Sequence, residues 1–178
     1  RKPLLKGHPF GPTLGVLEMP LKLGPAGVPL SCKGRTIVEG MDDITTLGLD
    51  AMEIQTVRSV QPKNFDQYWQ AGILSWNSEL EMNMHGPYYA ELLGSRRQRN
   101  RTLTKMEASM QAGKIVNARH LVYHVGPYGE YDPGTEANEQ VANIFAGVVD
   151  RVNQIWGDAS EEEDYAAFPW VHEAKPSL

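Results

Sequence analysis

The apolar positions change period along the chain, and each change marks a switch between strand and helix. Leu21-Lys22-Leu23-Gly24 alternates as a short strand does and runs into a Gly/Pro loop. Thr36 stands where a helix cap belongs. Ile37, Met41, Ile44 and Leu47 follow it at helical spacing, and Gly48 is the stop. Ala51 to Val57 then reads as a strand, and Pro62 as the opening of a helix through about Trp76, with Phe65, Trp69 and Ile73 on one face. Leu80 to Met84 is again strand-like. An arginine-rich stretch leads into a helix around Leu103 to Ile115, and His120 to His124 is the next strand. Glu136 to Trp156 carries a helical stripe of Val141, Ile144, Phe145, Val148, Val152 and Ile155. Phe168 to Glu173 reads as a fifth strand.

Strands separated by helices at intervals of about 30 to 45 residues must pair in parallel, because a parallel neighbour is reached only through a long crossover. The expected fold class is therefore α/β, with parallel βα repeats forming an incomplete TIM-type barrel of about four βα units plus one strand. A closed barrel of eight units takes about 250 residues, and the chain has 178. An open doubly wound sheet would also fit the length. It ranks second, because the Gly-rich phosphate fingerprint is missing after the first strand. Residues 1–18, with three prolines, three glycines and no sustained period, are expected to form an irregular extension, and residues 19–178 the partial barrel.

Composition narrows the setting. One cysteine, Cys32, excludes an internal disulfide and any cysteine-rich zinc module. No apolar run approaches the roughly 20 residues that cross a bilayer, and Arg1-Lys2-Pro3 leads into no apolar signal core, so a cytoplasmic protein is expected. A net charge of −5 speaks against a general electrostatic grip on nucleic acid. The run Glu161-Glu162-Glu163-Asp164 holds part of the acidic excess and reads as a solvated loop. The one basic cluster is Arg96-Arg97-Gln98-Arg99-Asn100-Arg101 with Lys105. It could meet backbone phosphates, or it could be a solvated helix start, where its charges oppose the helix dipole.

In parallel sheets, function gathers at the C-terminal strand ends, where loops converge on a rigid frame. Two such ends repeat one motif: His85-Gly86-Pro87-Tyr88-Tyr89, and His124-Val125-Gly126-Pro127-Tyr128. A neutral imidazole is a good ligand for zinc or manganese, and a following Gly and Pro make a rigid exit that fixes the ring. A single such histidine reads as a polar strand cap. Two equivalent ones favour metal ligands. Glu173 ends the fifth strand, where its carboxylate could join or bridge the metals. His172 would point to the opposite face of that strand. His120 begins its strand and His8 lies in the extension, so neither is expected to be a ligand. Tyr88 and Tyr89 could stack on a base or sugar, or could simply pack.

From about Met19 onward the chain resembles the amino-terminal half of the endonuclease IV family, within the xylose isomerase-like barrel group. The resemblance is carried by Leu30-Ser31-Cys32-Lys33-Gly34-Arg35-Thr36, by Gly48-Leu49-Asp50-Ala51-Met52-Glu53, and above all by His85-Gly86-Pro87-Tyr88-Tyr89 and His124-Val125-Gly126. It implies hydrolysis of the DNA backbone beside abasic sites by a metal cluster, zinc with manganese or magnesium as alternatives. His85, His124 and Glu173 would hold the first ion, with Glu173 also bridging to a second as the catalytic carboxylate. Tyr88, Tyr89, Arg96, Arg97 and Arg99 would face the DNA, although the arginine-rich stretch departs from the family's more acidic pattern. The family's remaining ligands come from later strands, so this chain alone is expected to be catalytically incompetent. It would need a missing barrel half, a partner chain or self-association to cover its open edges. The same barrel group also contains sugar and sugar-phosphate isomerases and epimerases, and a non-catalytic half-barrel interaction protein is the third class.

Overall fold

A computed structural model describes residues 21–61 and 64–158. The expected extension over residues 1–18, Pro62, the acidic run, the fifth strand with His172, and Glu173 lie outside the described residues. The order of elements is α1 (Ile37–Thr46), β1 (Ala51–Gln55), α2 (Phe65–Trp76), β2 (Glu81–His85), α3 (Arg96–Ile115), β3 (His120–Val122) and α4 (Thr135–Asp158).

The three strands form one parallel sheet in the order β1-β2-β3, each strand beside its successor in sequence. Upstream, the chain from Leu23 to Gly27 runs alongside β1. Ala51 N donates to Leu23 O, Glu53 N to Pro25 O and Gly27 N to Glu53 O, closing a parallel bridge between Ala26 and Glu53. The expected first strand thus exists as a bridged segment set slightly later than Leu21–Gly24. It makes the described sheet four segments wide.

Burial alternates along the strands: Met52, Ile54, Met82 and Met84 are buried, while Glu53, Asn83 and His85 between and after them are only half-buried. The buried set packs with Met41 and Ile44 of α1, Tyr68 and Ala71 of α2, and Ala112 and Ile115 of α3. A second cluster joins α3 to α4 through Leu92, Met106, Val148 and Val152, with Tyr123 and Phe145 against it. These helices therefore pack on the Met/Ile face of the sheet, whereas a doubly wound sheet would carry helices on both faces. The arrangement is that of part of a TIM-type barrel.

Local sequence explains the boundaries. Thr36 and Glu39 close a capping box at the start of α1, and Gly48 ends it with φ of 70°. At α3 the structure corrects the expected start near Leu103 by about two turns. Ser95 and Gln98 form a second capping box, Ser95 N donating to Gln98 Oε1 at 2.9 Å, so the arginine-rich stretch is the helix's first turns. Two strands are also shifted: β2 reaches His85, and β3 ends at Val122 rather than His124.

Candidate metal-binding site at the strand ends

His85 is the last residue of β2, and its main chain is fixed on both sides. Its carbonyl accepts from Thr56 N at 3.0 Å and from Thr56 Oγ1 at 2.9 Å, with Thr56 itself buried at the exit of β1. Gly86 N donates to Val122 O at 2.8 Å, which ties the exit of β2 to the end of β3. The ring is fixed as well. His85 Nδ1 lies 3.0 Å from Gly86 O, and since a carbonyl only accepts, Nδ1 must carry the proton. In the neutral ring, Nε2 then keeps its lone pair.

His124 stands two residues beyond the end of β3, and its ring centroid is 5.0 Å from that of His85, at an interplanar angle of 43°. Tyr88 packs on His124 at 4.5 Å and 58°, and Tyr89 meets Tyr88 edge to face at 5.4 Å. Both tyrosines are more than half exposed.

The glycines of the two motifs explain how the rings meet. Ala90 O and the Glu91 backbone occupy the space a Cβ on Gly126 would need, and Gly126 has φ of 83°. The Tyr123 ring lies where a Cβ on Gly86 would stand. Leu92 N donates to Val125 O at 3.3 Å across the same seam. The β2–α3 and β3–α4 loops are therefore interlocked through bare backbone, and that contact sets His85 beside His124.

The donor set fits part of a divalent site. With metal–nitrogen bonds of about 2.0–2.1 Å at a tetrahedral angle, two imidazoles on one ion have centroids about 5 Å apart. The observed 5.0 Å is of that size, and it is also the separation of two rings in packing contact. Two nitrogens do not complete a site, and among the described residues no group of three or more His, Cys, Asp or Glu side chains is placed to hold an ion. Glu173, the expected third ligand, lies outside the described residues.

The other expected site residues separate. Arg96 and Arg99 line a cavity of about 490 Å³ between the start of α3 and the β3–α4 loop, whereas Arg97 is exposed and outside it. His120, at the start of β3, is engaged with Asn83 Oδ1 at 3.0 Å through Nδ1. Thr56 was not legible as part of the site. Its only sequence signal is a hydroxyl at the exit of a strand, and its role depends on a register that pairs Gln55 with His85. Tyr123 is likewise invisible until the loops meet. Burial pushes its hydroxyl from 10.0 up to about 12, with the bond to Ser109 pulling the other way.

No protein-family model matches the chain, and no curated protein matches it. A solved crystal structure of a D-tagatose 3-epimerase-like protein is similar to it, with a TM-score of 0.50 and 16% identity, over 78% of this chain and 49% of that one. The chain spans about half the length of that protein. At this identity the likeness is one of fold, and the fold is a partial TIM-type barrel. It does not single out endonuclease IV. No helix among the described residues is long and apolar enough to cross a membrane.

Proposed function

We propose that this chain is the metal-holding part of a barrel that acts on a small polyhydroxylated carbonyl compound, as an isomerase or epimerase of sugars. The observation that carries the reading is the His85–His124 pair, 5.0 Å apart at the exits of neighbouring parallel strands, with Nε2 of His85 left open by the bond from Nδ1 to Gly86. The epimerase-like fold neighbour favours this chemistry over nucleic-acid cleavage, as does the chain's net charge of −5.

In this reading His85 and His124 hold one divalent ion, zinc or alternatively manganese or magnesium, and Glu173 supplies the carboxylate. A bound ion would polarise a carbonyl or hydroxyl oxygen of the substrate as a Lewis acid. The chain's own residues do the positioning. Thr56 and Gly86 hold His85, Tyr88 holds His124, and the exposed faces of Tyr88 and Tyr89 offer contact to the sugar. Such an ion would keep positions for further donors, which a partner chain or a second copy could supply, and for the substrate. A single cysteine is consistent with a cytoplasmic setting.

The second reading is an endonuclease IV-type enzyme at abasic sites in DNA, favoured by the His-Gly-Pro-Tyr-Tyr motif. A binding experiment that needs no turnover separates the two. With manganese bound, a ketohexose titrated into the full chain should show paramagnetic broadening strongest at the carbonyl and its neighbouring carbons, and lose it in His85→Ala. Absence of that broadening, together with tight binding of an abasic-site duplex, would reverse the order of the readings.

A further inference from the structure

We infer that the cavity between the β2–α3 loop, the start of α3 and the β3–α4 loop is a subsite for the phosphate group of a small substrate, gripped by Arg96 and Arg99. The inference rests on the sugar reading of the histidine pair and narrows its substrate class to sugar phosphates.

The cavity measures about 490 Å³, within the range of small-molecule sites. Its walls come from the same two loops that carry His85 and His124, so it opens at the same end of the sheet. Arg96 and Arg99 are one helical turn apart and share a side of α3. Neither makes an ion pair among the described residues, where the pairs are Arg119–Glu81, His120–Glu81 and Arg151–Glu107. Two carboxylates, Glu91 and Glu130, also line the cavity. Glu91 accepts from Gln98 Nε2 at 2.7 Å and Glu130 is exposed, and neither carboxylate pairs with Arg96 or Arg99 among the described residues.

Arg99 is the more enclosed of the two. Its Nη2 reaches Gly94 O at 3.5 Å, while its Nε is buried with no hydrogen-bond partner. That Nε is shut off from the cavity, so a ligand there would meet the outer Nη groups of Arg99. A guanidinium beside a cavity matches a phosphate in geometry, since its parallel N–H groups bind two oxygens at once. The first turn of α3 itself holds no acidic residue, and the nearby Glu91 reaches it only through Gln98, so its arginines oppose the helix dipole. A phosphate in the cavity would meet both guanidinium groups.

That Arg96 and Arg99 line one cavity while Arg97 and Arg101 lie outside it argues for a terminal phosphate over an extended nucleic-acid backbone. A backbone running past α3 would draw on the exposed Arg97 and Arg101 as much as on the two cavity arginines. A compact phosphate needs only Arg96 and Arg99.

The test is titration of inorganic phosphate into the full chain in the presence of a chelator, followed by calorimetry or by arginine side-chain NMR. Saturable binding at one site is expected, weakened tenfold or more in Arg96→Gln and in Arg99→Gln and unchanged in Arg101→Gln. Arg96 is exposed, so its variant carries the test even if Arg99→Gln folds poorly. A ketose phosphate should compete with inorganic phosphate, and the free ketose should not. Because the titration is run without metal, His85→Ala with His124→Ala should leave it unaltered, and failure here is separable from failure of the metal reading. Undetectable phosphate binding, or equal weakening by Arg101→Gln, overturns the inference. So does an abasic-site duplex whose binding depends equally on Arg96, Arg97, Arg99 and Arg101.

Discussion

The two faces of the sheet are built for different ends. On the helix side, Met52, Ile54, Met82 and Met84 are sealed beneath α1, α2 and α3, with none more than 4% exposed. On the other side, Glu53, Gln55, Asn83, His85, His120 and Val122 stand in register across β1, β2 and β3, and they are half-buried or exposed. One face holds the fold together through apolar burial, and the other presents polar groups on a frame that does not depend on them. The contrast teaches where to look for each property. Changes on the first face should move stability, and changes on the second should move binding.

The largest expected effect lies on the sealed face. Met84 is 0% exposed at the centre of β2, and Met84→Ala should cost about 2–5 kcal/mol by lost burial and the cavity left behind. Chemical denaturation measures it, and a loss below about 1 kcal/mol would mean the core is looser than the burial implies.

Next comes Tyr123, on the helix side just beyond β3. Its folded pKa is raised, from 10.0 to about 12, so its contribution is fully present below pH 10 and lost as the pH climbs toward 12. That contribution is on the order of 2 kcal/mol. Unfolding free energy followed across this window should fall less steeply in Tyr123→Phe than in the wild type. Tyr68, whose pKa burial also raises, keeps part of the slope in both. Identical slopes would remove Tyr123 from the account.

The smallest effect is on the open face. Gln55 is exposed at the end of β1, and Gln55→Ala should change stability by no more than about 0.5 kcal/mol. A loss comparable to that of Met84→Ala would show the two faces to be energetically alike, and the comparison would fail.

Much of this division was legible before the structure. Alternation in β1 and β2 and the 3.6-residue period in α1 and α4 report burial directly, because a side chain's face follows from its place in the period. In α2, by contrast, the expected face of Phe65, Trp69 and Ile73 is corrected to one of Tyr68, Ala71, Gly72 and Ser75, with Ile73 half exposed. Thr36 and Gly48 marked the ends of α1 by chemistry that acts within a few residues. The start of α3 was not legible from periodicity, since its first turns carry arginines where an apolar stripe would signal helix. The Ser95–Gln98 capping box was the available sign. Within the candidate site, the repeated His-to-Gly-Pro-Tyr spacing picked out two rings that the fold brings to 5.0 Å. The parts that hold them were hidden, because Thr56, Tyr123 and the abutment of Gly126 on Ala90 arise from contacts between loops distant in sequence. Such contacts leave no periodic trace.

The central claim is that His85 and His124 share one divalent ion, and metal analysis of the purified full chain tests it most directly. After zinc loading and gel filtration, the wild type and Met84→Ala should each retain about one equivalent, and His85→Ala with His124→Ala should retain none, because a structural or catalytic zinc needs its imidazoles. A wild type that takes up no ion, or a double variant that keeps the full complement, would contradict the account.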